Sequence, residues 1–179
     1  LDGCTLGLIG LGRIASRVAA AAQGLGMQVV ACDPHVAESP VPGCELMPFE
    51  DVLAAADVVS LHAPALPTTY RLIDAAALAR MKAGSYLVNC ARGVLVDHDA
   101  LLDAIDRGHL AGAALDVTDP EPLPAGHPLL DRVNVIVTPH IASATAAGRR
   151  RLYEHAIENA LAVLSGQPAS IVPPVVSPG

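Results

Sequence analysis

Aromatic residues are nearly missing from this chain. It has no tryptophan, one phenylalanine and three tyrosines, 2% of its 179 residues. Rings cannot fill the core, so the 52% of apolar residues must build it from Ala, Val, Leu and Ile, which suits tight packing of helices on a sheet. Basic residues are also scarce, 11 Lys and Arg against 18 Asp and Glu, a formal net charge of −7. The only basic run, Arg149-Arg150-Arg151, reads as the solvated face of a helix, so neither nucleic acid nor an anionic membrane is indicated as a partner. No apolar run is long enough to span a bilayer, and no signal peptide is recognisable. Cys4, Cys32, Cys44 and Cys90 form no C-x-x-C pair and read as free thiols in a reducing cytoplasm, and no metal site is expected. There is no internal repeat. The length suggests one domain with a full-sized core. The chain starts without Met, directly before a strand, and reads as an excised domain or a fragment.

What is present is concentrated first in Thr5 to Ala15. Leu6, Leu8 and Ile9 form the short apolar run of a buried parallel strand. The run ends at Gly10-Leu11-Gly12, and a helical stretch opens at Arg13. Gly10, Gly12 and Ala15 fit G-x-G-x-x-[G/A]: Gly10 for the tight turn, Gly12 so that a pyrophosphate can approach the backbone, Ala15 for close helix–strand contact. The amino end of the helix then offers free N–H groups and a positive dipole end to phosphates. Such a motif alone also describes an ordinary strand–turn–helix. A second apolar strand, Gln28 to Cys32, strengthens it, because it ends at Asp33, roughly 20 residues on, where a carboxylate would accept a ribose 2′-OH. Asp33 would repel a 2′-phosphate, so NAD is expected rather than NADP. Its other plausible role is to cap the turn before Pro34.

Strand and helix signals alternate along the rest of the chain. Helices are expected at Arg13 to Leu25, Phe49 to Ala56, Asp74 to Met81 with Asp74 as cap, Asp97 to Arg107 and Ser143 to Leu164. Further strands are expected at Val58 to Leu61, Ser85 to Asn89, Ala111 to Asp116 and Asn134 to Val137. Pro34 to Pro48, with four prolines, reads as loop. Six strands with helical crossovers give an α/β, Rossmann-type doubly wound parallel sheet of order 3-2-1-4-5-6. The domain is expected over residues 1–165, with an irregular Pro-rich tail over 166–179. Polar residues fall where the strands end: Asp33, His62, Arg92, Asp116 and His140. In open parallel sheets ligands bind beyond those ends.

Reduction of a 2-keto acid needs a cation for the carboxylate, a proton donor for the carbonyl oxygen, and a partner that orients the donor. Arg92 can pair bidentately with a carboxylate. Histidine is the side chain type suited to proton exchange near neutral pH, which makes His140 the candidate donor. Glu121, between two prolines, could hydrogen-bond the second imidazole nitrogen and favour the imidazolium. Each has a plainer alternative: a simple ion pair with Asp97 for Arg92, a satisfied core position for His140, and loop polarity for Glu121. Their joint position near strand ends favours chemistry.

Four segments, Gly7-Leu8-Ile9-Gly10-Leu11-Gly12-Arg13-Ile14, Asn89-Cys90-Ala91-Arg92-Gly93 with Val96-Asp97, Ala113 to Val117 followed by Glu121-Pro122, and Thr138-Pro139-His140-Ile141-Ala142, make the chain resemble the NAD-binding domain of the D-isomer-specific 2-hydroxyacid dehydrogenases. The resemblance implies that Arg92 binds substrate, that Glu121 pairs with the histidine and that His140 is the acid/base. It implies that Arg13 and Ile14 lie against the pyrophosphate, that Asp33 takes the adenine ribose, and that His62, Ala63, Pro64, Thr69, Cys90, Ala91 and Arg92 line or approach the cofactor. Asp116 would accept from the nicotinamide carboxamide. Ala15 stands where many relatives have glycine. The resemblance also implies a homodimer, a small 2-keto or 2-hydroxy acid as substrate, and a second, substrate-binding domain that is absent from this chain. An NAD(H)-sensing regulatory protein is the rival that motif matching leaves open.

Overall fold

A computed structural model of the chain describes residues 1–167. Seven strands, β1 (Thr5–Ile9), β2 (Gln28–Cys32), β3 (Cys44–Leu46), β4 (Val58–Leu61), β5 (Tyr86–Asn89), β6 (Gly112–Leu115) and β7 (Val135–Val137), form one sheet in the order β3-β2-β1-β4-β5-β6-β7. Every neighbouring pair is parallel. The helices are α1 (Arg13–Gly24), α2 (Phe49–Ala55), α3 (Ala75–Arg80), α4 (His98–Asp106) and α5 (Ala146–Leu164). This is the expected doubly wound α/β sheet with one strand more. The extra strand, β3, lies inside Pro34 to Pro48, the stretch expected to be loop, and pairs with β2 at Val29–Cys44, Val30–Glu45 and Ala31–Leu46. Three residues are too few for a period-two pattern to show, and the flanking prolines hide them. With β3 on the edge, Val58–Leu61 becomes the fourth strand and lies beside β1.

Side chains alternate between the two faces of the sheet, as strand geometry requires. On one face Leu6, Leu8, Val29 and Ala31 pack with Ala15, Ala19 and Ala22, the buried stripe of α1. On the other, Ile9, Val30, Val59, Leu61 and Leu87 pack with Val52 and Leu53 of α2, Leu78 of α3 and Leu101 of α4. Gly7 lies under α2, where a Cβ would come within 2.7 Å of the Ala56 Cβ. The helix starts follow capping chemistry: the Asp74 carboxylate accepts from the Ala77 N–H (2.8 Å), and Asp97 accepts from Ala100 (3.1 Å). Towards the β7 edge, Tyr86 and Ile136 are 50% and 64% exposed. No helix of the described residues is long and apolar enough to cross a membrane.

The chain separates into two units, Leu1–His140 and the residues from Ile141 onward. In the second, Thr145 caps α5 by accepting from the Gly148 N–H at 2.9 Å. α5 buries none of its residues, and Leu152, Ile157, Leu161 and Leu164 are exposed along it. From residue 168 on, the expected 166–179 tail lies outside the described residues.

Candidate active site

The carboxyl ends of the strands carry the polar residues, beginning with the turn after β1. Gly10 has φ +94°, and a Cβ there would fall 2.9 Å from the His62 carbonyl carbon and 3.0 Å from the Ala63 nitrogen. Backbone conformation and close approach both demand glycine at this point. Gly12 is different: a Cβ would meet nothing within 4 Å. The protein itself does not need a bare Cα at Gly12, whereas a diphosphate laid against that surface would. Gly12 is also the N-cap of α1 and no side chain caps the helix, so its first amides are available to an anion. These observations fit a dinucleotide.

Asp33 is pinned at the end of β2. One carboxylate oxygen accepts from the Leu11 N–H and the other from the His35 N–H, each at 2.8 Å. It therefore caps its turn, braces the glycine loop, and still has lone pairs for a ribose hydroxyl. The Nε2 of His62 lies 3.0 Å from the Ser60 hydroxyl, and burial holds the ring below the usual imidazole value, which favours its neutral form. The Thr69 hydroxyl donates to the Pro64 carbonyl (2.6 Å) and accepts from the Leu66 N–H (2.9 Å), fixing that loop. Asp33, Met47, Phe49, His62, Leu66 and Thr69 wall a cleft of about 590 Å³. Gly12, Arg13, Ile14, Cys90, Ala91 and Arg92 wall a second of about 570 Å³, and Gly12 and His62 to Pro64 border both. Met47, Pro48 and Phe49 also line the first cleft, although no motif marks them; a strand ending at Leu46 puts them on the sheet's carboxyl edge.

Arg92 follows β5. Buried Asn89 clasps its turn: the amide donates to the Arg92 carbonyl (2.9 Å) and the side-chain oxygen accepts from the Ala91 N–H (3.0 Å). The ion pair with Asp97, the alternative for Arg92, is not what forms. Arg71 takes Asp97 at 2.9 Å, while exposed Arg92 donates to the Ala91 carbonyl at 2.6 Å. Asp116, 5% exposed after β6, accepts from the Thr138 hydroxyl at 2.6 Å, and its carbonyl accepts from the His140 N–H at 2.9 Å. That anchor holds His140 in the left-handed region at φ +53°. Nδ1 of His140 lies 2.7 Å from a Glu121 carboxylate oxygen, with the side chains 50% and 41% exposed. His140 is thus no core residue and Glu121 is more than loop polarity. With Nδ1–H donating to the carboxylate, Nε2 is the ring nitrogen that could exchange a proton with a bound molecule. Burial and nearby Asp116 raise the Cys90 thiol, and burial above all pushes Cys32 up to about 11, so both stay protonated at neutral pH. Among the described residues no cluster of three or more His, Cys, Asp or Glu could hold a metal ion.

Comparison with known proteins decides the family. The model of the D-isomer specific 2-hydroxyacid dehydrogenase NAD-binding domain matches residues 1–142. The chain belongs to this family. As its NAD-binding domain, the chain is 42% identical to a glyoxylate reductase of Thermofilum pendens, covering 93% of this chain and 50% of that protein. It is 44% identical to a D-3-phosphoglycerate dehydrogenase of Mycobacterium leprae, covering 92% and 31%. Among solved structures, the TT0316 protein from Thermus thermophilus matches with a TM-score of 0.88 at 50% identity, over 95% of this chain and 53% of that one. The NAD-complexed D-isomer specific 2-hydroxyacid dehydrogenase of Lactobacillus delbrueckii ssp. bulgaricus matches with a TM-score of 0.83 at 37% identity, over 93% and 55%. This NAD-binding domain therefore spans about half the length of several of these relatives, and less of the phosphoglycerate dehydrogenase.

Proposed function

We propose that the protein containing this domain is an NAD-dependent oxidoreductase that interconverts a 2-hydroxy acid and its 2-keto acid. Bound NADH supplies the hydride that reduces the carbonyl. Gly12 and the amino end of α1 bind the diphosphate, with Arg13 and Ile14 alongside, and Asp33 binds the adenine ribose. Asp116 accepts from the carboxamide and fixes which ring face is presented. Arg92 leaves the Ala91 carbonyl to hold the substrate carboxylate and polarise the carbonyl. Nε2 of His140 gives its proton to the carbonyl oxygen, while Glu121 stabilises and orients the charged ring. The observation that carries this reading is the His140–Glu121 contact of 2.7 Å in the same row of strand ends as Arg92. The test is NADH oxidation by the full-length protein over a panel of 2-keto acids. Turnover supports dehydrogenase activity; NADH binding with no turnover on any member favours a regulatory role.

The chain by itself is expected to bind NAD(H) and turn over little, because Arg92, Glu121 and His140 stand open to water. We also infer a homodimer, supported by exposed Tyr86, Val133 and Ile136 towards the β7 edge, and a cytoplasmic location, supported by four free thiols. Light scattering of wild type and Ile136→Asp tests the first; a wild-type monomer at micromolar concentration overturns it.

A further inference from the structure

Between Arg92 and the Glu121–His140 pair lies a contact that no side chain makes. Gly93, the residue after Arg92, is buried, and a Cβ on it would fall directly on the carbonyl carbon and oxygen of Thr118 and come 2.7 Å from the Asp119 nitrogen. Its φ is not in the left-handed region, so close approach alone demands glycine. Thr118 begins the loop that carries Glu121. Thr118 is 6% exposed, and its hydroxyl donates to the Pro120 carbonyl at 2.9 Å, so the loop is held on its own side of the contact. On the other side, Asn89 clamps the Arg92 carbonyl. The Asn89 carbonyl accepts from the Asp116 N–H, and the Asp116 carbonyl accepts from the His140 N–H, both at 2.9 Å. The turn bearing the guanidinium and the loop bearing the carboxylate are therefore each fastened to the sheet and meet backbone to backbone at Gly93.

We propose that Gly93 is a positioning residue: its contact with Thr118–Asp119 sets the carboxylate-binding Arg92 at the right distance from the Glu121–His140 proton relay. This rests on the function proposed above and adds to it the part that aligns its two halves. A methyl group at position 93 must drive the two segments apart, because what it meets is backbone and not the end of a flexible side chain. Displacements of about 1 Å at a reacting centre can cost about 10²-fold in rate.

The experiment compares wild type, Gly93→Ala, Thr118→Val and Glu121→Gln in the full-length protein. It reads NADH affinity by fluorescence, kcat and KM for the best keto acid, and the His140 imidazole titration by NMR. Gly93→Ala is expected to lower kcat/KM about 10²-fold and NADH affinity by a clearly smaller factor, since the Cys90–Arg92 turn also walls the second cleft. It should also move the His140 titration midpoint in the same direction as Glu121→Gln. Thr118→Val loosens the loop without adding bulk, so it should give the same signature about tenfold more weakly and serves if Gly93→Ala does not fold. An unmoved His140 titration in the folded variants, or NADH affinity falling in step with kcat/KM, overturns the proposal. Absence of turnover in wild type, with the titration still responding to Gly93→Ala, would overturn the proposed reaction and leave the positioning role standing.

Discussion

The two ends of the sheet's ligand edge are built differently. On the β1–β2–β3 side the cleft proposed for the cofactor is braced by the protein itself: Gly10 lies against the His62–Ala63 backbone, both Asp33 oxygens are fixed by amides, and Met47 and Phe49 close the wall. On the β5–β6–β7 side the backbone is equally well tied, through Asn89 and Asp116, yet the side chains that would do chemistry stand in water. The first side is a walled cleft whose lining is already fixed; the second is fixed in its backbone only. An exposed ion pair is worth little by itself, so the His140–Glu121 contact acquires its value where water is excluded.

Removing the proposed proton donor should break this comparison most sharply. His140→Asn in the full-length protein is expected to lower turnover about 10²- to 10⁴-fold with NADH affinity unchanged, read by stopped-flow absorbance and fluorescence titration. Retained turnover would refute the assignment of His140. Gly10→Val attacks the opposite side. With φ +94° and the His62–Ala63 backbone at 3.0 Å or closer, it should abolish measurable NADH binding, and circular dichroism will show whether the fold survives. Asp33→Ala should cost about tenfold or more in NADH affinity and narrow the preference over NADPH, since a charged hydrogen bond is worth about 1.5–3 kcal/mol.

Stability should follow two imidazoles, one buried at His98 and one half-buried at His62. Desolvation holds His62 and His98 below the usual value of 6.5. As pH falls the unfolded chain binds their protons first. The stabilising contribution of their neutral forms is complete above about 6.5 and is lost as pH drops through the lower folded values. Urea midpoints at about pH 7.5 and about pH 5.5 should differ in that direction, and His98→Asn should flatten the slope. The smallest effect belongs to Lys82, which lowers the Asp57 carboxyl from a half-open surface site. Lys82→Ala should cost less than about 1 kcal/mol, and only above the usual carboxylate range.

Much of the cleft at the β1–β2 ends was legible in the sequence because glycine turns and strand-end carboxylates carry their own local chemistry. Gly10, Gly12, Asp33 and His62 stand where the pattern places them. The helix starts at Asp74 and Asp97 were legible for the same reason. β3 was not, because three residues become a strand only by pairing with β2, and the wall at Met47 and Phe49 was lost with it. The His140–Glu121 pairing was foreseen by chemical role, although 19 residues separate the two. Gly93 stands in a segment that carries the family resemblance, but the reason a glycine is needed there was not legible, since it comes from the distant backbone of Thr118 and Asp119. That Arg92 does not pair with Asp97 was likewise set elsewhere, by Arg71 claiming that carboxylate.

The left-handed backbone at His140 narrows the alphabet open to anyone diversifying that position. Asparagine, aspartate and glycine can take the conformation readily, while valine, isoleucine and threonine cannot. A library rich in β-branched residues at 140 would therefore return destabilised clones and mistake a torsional cost for a chemical one.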